Sequence, residues 1–172
     1  MSNPEFVYTT YIMATPEQVW AGLTDPEFTK QYWGGTEIRS DWTVGSTVNL
    51  VDPARGVTTA GKVLVYDPPR QLAYSWNVLF HEVFSCEGES RVTFELTPAG
   101  GFTQLTITHD GFAPDSIVKD AISMGWPSVL AGLKTVLELG RMPCPIGDPS
   151  DGDPYEAGIA WGLAERAKRG QR

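Results

Sequence analysis

The chain has 172 residues, 41% of them hydrophobic and 20% charged, with a formal net charge of −8. That is one domain's worth of chain in globular proportions, which excludes both a disordered polymer and a membrane-spanning one. The acidic balance excludes a nucleic-acid partner, which requires cations to displace phosphate counterions, and equally a surface that clings to anionic lipid.

Phe6 to Ala14 alternates as a strand, with Phe6, Tyr8, Thr10 and Ile12 on one side and Val7, Thr9, Tyr11 and Met13 on the other. Thr15-Pro16-Glu17-Gln18 then starts a helix: Thr15 caps, Pro16 suits the first helical position, and Gln18 stands where a capping box needs it. Asp25-Pro26 opens a second short helix by the same chemistry, with Phe28, Tyr32 and Trp33 facing inward and Gly34-Gly35 ending it. Strands follow over Thr36–Ser40, Thr47–Val51, Val57–Tyr66 and Gln71–Val78, separated by turn residues and by Asp67-Pro68-Pro69. Arg91–Thr97 and Gln104–Asp110 make a last hairpin across Pro98-Ala99-Gly100-Gly101. Leu105, Ile107 and His109 share one face of that final strand and Thr106, Thr108 and Asp110 the other, the pattern of an antiparallel sheet covered on one side. The apolar stretch from Val78 to Cys86 reads as strand ends joined by a lip over a cavity mouth.

Asp115 is the expected cap of a helical turn through Ile117, Val118, Ala121 and Ile122. From Gly125 to Gly140 the residues Trp126, Val129, Leu130, Leu133, Val136 and Leu137 make one helical stripe, and Gly140 stops it. Pro127 lacks a backbone donor, so a kink or break is expected near Gly125. Residues 1–140 are expected to form the domain, and residues 141–172 a Pro/Gly/Asp-rich linker with a short helix over Pro154–Lys168. In that helix Tyr155, Ile159 and Leu163 recur at four-residue steps, while Gly158 and Gly162 each cost about 1 kcal/mol relative to alanine. Such a helix persists only when docked on its own domain or on a neighbour, which leaves a homodimer open.

A strand, two short helices, further antiparallel strands and a long C-terminal helix together resemble the helix-grip fold of the START-like, or SRPBCC, superfamily. The likeness is greater to its branch named after the activator of the heat-shock-protein-90 ATPase. It is carried by Ala14-Thr-Pro-Glu-Gln-Val-Trp20, Tyr32-Trp-Gly-Gly35, Val44-Gly-Ser46 and Asp67-Pro-Pro-Arg-Gln-Leu72 with Ser75-Trp76. Further on come Ser90-Arg-Val-Thr-Phe-Glu-Leu96, Leu105-Thr-Ile-Thr-His-Asp-Gly-Phe112 and Gly125-Trp126 with Leu130 and Leu133. The resemblance spans roughly Phe6 to Leu139. It implies an α+β fold in which a curved sheet of six to seven strands wraps a long helix. It also implies a cavity between the two that takes apolar or amphipathic small molecules. The superfamily's members include carriers, receptors, cyclases and chaperone regulators, so no reaction follows from the fold.

The expected ligand-binding residues are Tyr32, Trp33, Trp76, His109, Trp126, Leu130 and Leu133, with Phe80 and Phe84 near the mouth. Indoles offer broad apolar contact and one N–H to fix a polar atom, though aromatic residues at these periods equally well fill a core. His109, alternating with Leu105 and Ile107, points an imidazole at the apolar face; a histidine satisfied by a backbone carbonyl or by the Tyr32 hydroxyl fits the same pattern. No catalytic arrangement follows from the spacing, since His81 and Glu82 are neighbours that would face opposite ways on a strand. The Lys134–Glu138 pair reads as a solvated helix face, and Arg166-Ala-Lys-Arg169 as a helix end favoured by its dipole.

With two histidines and no ligand spacing, neither a metal nor another cofactor is expected. Cys86 and Cys144 have no repeat spacing, and Met1-Ser-Asn-Pro-Glu-Phe6 has no basic run leading into an apolar one. Both point to a cytoplasmic protein with reduced thiols. The reading ranked first is binding of an apolar or aromatic small molecule. A cyclase or hydrolase using His109 in the same cavity comes second, and a chaperone-ATPase regulator third.

Overall fold

The computed structural model describes residues 4–142 and 152–170. In chain order it contains β1 (Phe6–Ile12), α1 (Pro16–Thr24), α2 (Pro26–Tyr32), β2 (Glu37–Ser40), β3 (Thr47–Asp52), β4 (Gly56–Asp67) and β5 (Gln71–Val78). Then follow α3 (Glu82–Ser85), β6 (Ser90–Ala99), β7 (Phe102–Asp110), α4 (Ile117–Leu139) and α5 (Pro154–Gly170). The seven strands form one antiparallel sheet in the order β1-β7-β6-β5-β4-β3-β2. From β2 to β7 the chain meanders between neighbours. β1 and β2 are opposite edges, so the two short helices between them have to span the width of the sheet.

Both short helices start as their residues dictate. The Thr15 hydroxyl accepts from the Gln18 N–H at 3.3 Å while the Gln18 side chain accepts from the Thr15 N–H at 2.8 Å. Asp25 accepts from the Glu27 N–H at 2.8 Å. Buried Thr29 then ties α2 to β2, accepting from the Ile38 N–H at 3.0 Å. The Tyr32 hydroxyl donates to the Gly22 carbonyl at 2.8 Å and locks α2 to α1.

Curvature has a local cause. The register shifts between Leu50 and Val51 and again between Val63 and Val65, and bulges of this kind increase twist and bend a sheet. Beside the second shift, a Cβ on Gly61 would lie 1.7 Å from the Ser75 carbonyl oxygen. Only glycine allows that approach, and the Ser75 hydroxyl takes over a ladder bond there by accepting from the Lys62 N–H at 3.0 Å.

α4 lies across the concave face and buries Trp126, Leu130, Leu133 and Val136. It is one continuous helix from Ile117, so the break expected near Gly125 does not occur. Pro127 removes only the bond to the carbonyl four residues back, and side chains on both sides of it, Val118 and Leu130 among them, are anchored in the core. The N-cap is Ser116, accepting from the Lys119 N–H at 3.0 Å, and not Asp115, which takes a positive φ of 57°. Glu87 completes the cap by accepting from the Ile117 N–H at 2.9 Å and the Val118 N–H at 3.3 Å. Gly140 ends the helix with φ of 76°, as expected.

Two further expectations change. Val78 to Cys86 is not a pair of strand ends: it turns into α3, whose cap is His81, with Nδ1 accepting from the Val83 N–H at 3.1 Å. The Lys134–Glu138 pair is more than a solvated face. Glu138 accepts from Lys134 at 2.7 Å and from the Met13 N–H at 2.8 Å, and Lys134 donates to the Tyr11 carbonyl at 2.5 Å, so the pair clamps β1 to α4. Asp110 ends β7, as expected, and holds Arg91 through contacts of 2.9 and 2.6 Å.

α5 docks on its own chain with Tyr155 and Ile159 of its expected stripe, the first on Phe80 and the second on the core, but not with the third. Leu163 is 50% exposed, while Gly162 is buried against α3, where a Cβ would lie 2.9 Å from Phe84 Cζ. The glycine that weakens the isolated helix is what permits its close approach. Arg166 donates to the Val83 carbonyl at 2.6 Å and to Cys86 Sγ at 2.9 Å, and Arg169 reaches Asp120 at 2.6 Å. These arginines tie the helix down, a more specific job than complementing its dipole. At the other end Arg55 pairs with Asp153 and lies 4.5 Å from the Tyr155 ring centroid. Of the linker, residues 143–151, including Cys144, lie outside the described residues.

Candidate functional site: an indole-walled cavity under the last helix

Between the sheet, α4 and α5 is a cavity of about 340 Å³. The sheet supplies Thr59, Trp76 and Val78; α4 supplies residues from Val118 to Val129; α5 closes it with Gly158 and Trp161. Trp33, from the end of α2, and Phe80 and Phe84, around α3, complete the wall. Among the described residues no charged side chain lines it, and Thr59 carries the one side-chain oxygen. A second, more polar cavity of about 550 Å³ adjoins it and shares Trp33, Phe80 and Val129. Its wall adds Tyr32, Thr36, Ser128, Thr135 and Tyr155.

The aromatic wall is a connected cluster. Trp33 stacks on Trp76 with centroids 6.3 Å apart and planes 15° from parallel, and both rings contact Trp126, at 5.4 and 5.3 Å. Each indole comes from a different element, so the cluster exists only once α2, β5 and α4 are packed. Phe80 bridges outward, with its centroid 5.2 Å from Phe84 and 5.0 Å from Tyr155 of α5.

His109 does face the apolar side, but it stands behind the wall at 0% exposure and lines neither cavity. Its Nδ1 accepts from Trp126 Nε1 at 3.1 Å, which puts the ring proton on Nε2, 2.8 Å from Ser90 Oγ. Ser90 in turn donates to the Trp76 carbonyl at 3.3 Å. Burial lowers the imidazole pKa to about 3, despite the opposing pull of Asp110, so the ring is neutral at physiological pH. Its partners are thus Ser90 and Trp126, neither the backbone carbonyl nor the Tyr32 hydroxyl expected from sequence. The relay orients the Trp126 indole and leaves no free nitrogen for acid–base work.

Of the nine expected binding residues, Trp33, Trp76, Phe80, Phe84 and Trp126 line the first cavity and Tyr32 the second. Leu130 and Leu133 line neither; they are core side chains, and Leu133 meets α1 where a Cβ on Gly22 would lie 2.6 Å from its Cδ1. Sequence reasoning missed Thr59, Val78 and Trp161. Thr59 interrupts an apolar face with a hydroxyl, and Trp161 lies three residues after Gly158, a spacing that brings both to one helix face. Among the described residues, no group of three or more His, Cys, Asp or Glu side chains comes together to hold a metal, and no helix is long and apolar enough to cross a membrane.

A seven-strand sheet gripping a long helix, with a walled cavity between them, defines a helix-grip protein. Residues 13–138 match the family model described as Activator of Hsp90 ATPase homolog 1-like protein, and the chain belongs to that family. Among solved structures, protein MLL2253 from Mesorhizobium loti is 29% identical with a TM-score of 0.69, over 81% of this chain and all of that one. CalU16 from Micromonospora echinospora is 20% identical with a TM-score of 0.64, over 95% of this chain and 86% of its own. The solution structure of the Aha1 dimer from Colwellia psychrerythraea gives 22% and 0.66, over 81% and 99%. No curated protein matches the sequence.

Proposed function

We propose that this protein binds an apolar, aromatic small molecule in the cavity beneath α5. The observation that carries the reading is the wall itself: four indoles from four elements around a space to which the described residues bring no charge and a single hydroxyl. Small-molecule sites have this character, mostly apolar with a few fixed polar groups, in volumes of about 300–1,000 Å³. Binding would come from burial, at about 25 cal/mol per Å² of apolar surface, with polar contacts setting orientation.

The isolation of His109 supports a binding role over a cyclase or hydrolase acting through that residue. The chaperone-regulator reading rests on the family's description alone and is set behind the other two. As in the Aha1 dimer, two copies could associate; edge strand β1, with Val7 and Tyr11 exposed, is the surface to watch in light scattering.

The test is a thermal-shift screen with uncharged aromatic compounds, followed by native mass spectrometry of freshly purified protein. A bound compound at one hundred times its Kd adds about 2.7 kcal/mol of stability, an easily measured rise in Tm. A panel that leaves Tm unmoved, together with a mass spectrum of protein alone, would sink the reading.

A further inference from the structure

Among the described residues the indole N–H of Trp76 has no hydrogen-bond partner; the nitrogen itself is sealed from solvent, the side chain is only 7% exposed, and its ring forms part of the cavity wall. The neighbouring Trp126 N–H is committed to His109, so the two indoles are not equivalent. A buried donor left unpaired is costly, and a site that keeps one gains most from a ligand that supplies the missing acceptor. Among the described residues no side chain lining the cavity could neutralise a charged ligand, and charges buried unpaired are costlier still. Trp33, which stacks over Trp76, hangs from the end of α2 and is followed by Gly34 and Gly35 at φ of 57° and 81°. An acceptor reaches the sealed Trp76 N–H only as the Trp33 ring slides, and the two glycines give the backbone beside that ring the freedom to adjust.

Building on the binding reading above, we infer that the ligand is a neutral, flat aromatic compound bearing a carbonyl oxygen, which accepts from Trp76 Nε1. The Thr59 hydroxyl is the second polar contact on the same wall, and a neutral hydroxylated extension fits the adjoining cavity beside Thr36, Ser128 and Thr135. A carboxylate or an ammonium on the ring system is rejected.

Anthracene, anthraquinone and anthracene carboxylate test this with one ring system, read by quenching of tryptophan fluorescence. The wild type is expected to bind anthraquinone about tenfold tighter than anthracene, one hydrogen bond's worth, and the carboxylate more weakly than either. Trp76→Phe loses the donor and part of the stacking surface, so both neutral probes should bind more weakly; the readout is their ratio, which is expected to fall from about tenfold to near one. Should that variant not fold, the Trp76 indole N–H resonance in the wild type decides: it moves downfield with anthraquinone relative to anthracene. Equal affinity for the two neutral probes, a preference that survives Trp76→Phe, or a carboxylate that binds as well as the quinone would each overturn the inference and leave the cavity reading standing. Failure of all three probes to bind would overturn the cavity reading itself.

Discussion

His109 sets the pH behaviour that this chain should show. In the unfolded chain its pKa is near 6.5, and in the folded protein about 3, because burial disfavours the imidazolium. Between those values the unfolded state holds a proton that the folded state does not. Stability is therefore complete above pH 6.5 and falls as pH drops toward 3, by at most about 1.4 kcal/mol per pH unit from this residue. His109→Gln should be less stable at neutral pH but should flatten the decline of Tm between pH 7 and pH 4, roughly the interval this residue governs. A variant whose decline parallels the wild type would show that other groups carry the acid sensitivity. Gly61 is the other residue whose environment leaves no freedom. Because the atom it would strike belongs to the backbone of β5, Gly61→Ala should cost about 3 kcal/mol or more in urea denaturation, well above an ordinary surface change.

At the scale of elements, two attachments can be loosened separately. The clamp between α4 and β1 depends on an ionised Glu138, whose pKa is lowered chiefly by its bond to Lys134 and then by the Met13 N–H. Its contribution is present above the ordinary carboxylate pKa and lost as pH falls through the lowered one. Glu138→Gln should raise hydrogen-exchange rates at Tyr11 and Met13 at neutral pH and leave the β5–β6 amides protected. α5 should detach by a different route. Gly162→Leu drives a branched side chain into Phe84 and should dislodge the helix while the sheet and α4 keep their melting transition. With the cavity opened on that side, an aromatic probe should dissociate several-fold faster from this variant. Unchanged dissociation would show that α5 is not its barrier.

Across the whole molecule, the acidic surface and the arginine attachments of α5 pull in opposite directions. With a net charge of −8, added salt should relieve general repulsion and raise the main Tm slightly. The same salt weakens the Arg55, Arg166 and Arg169 contacts, which lie partly in solvent, so α5 should become more sensitive to limited proteolysis as ionic strength rises. A protease pattern independent of salt would mean that α5 is held by the Phe84–Gly162 contact more than by charge.

Sequence by itself determined the period-two strands, both capping motifs of the short helices, the amphipathic stripe of α4 and its glycine stop. These are set by neighbours within a few residues, and such signals survive being read one at a time. It also picked out the aromatic residues of the wall other than Trp161, because Trp33, Trp76 and Trp126 stand on inward faces of elements whose periods are clear. What it could not give was which inward residues meet a cavity and which meet each other. Leu133 and Trp126 share a stripe, yet one packs against Gly22 of α1 and the other against the space beneath α5. Only tertiary structure decided that α4 runs unbroken through Pro127, that Gly162 is contact surface rather than weakness while Gly158 borders the cavity, and that His109 is occupied by Ser90 and Trp126. Each of these depends on atoms distant in sequence, whose approach is fixed by packing and not by local propensity.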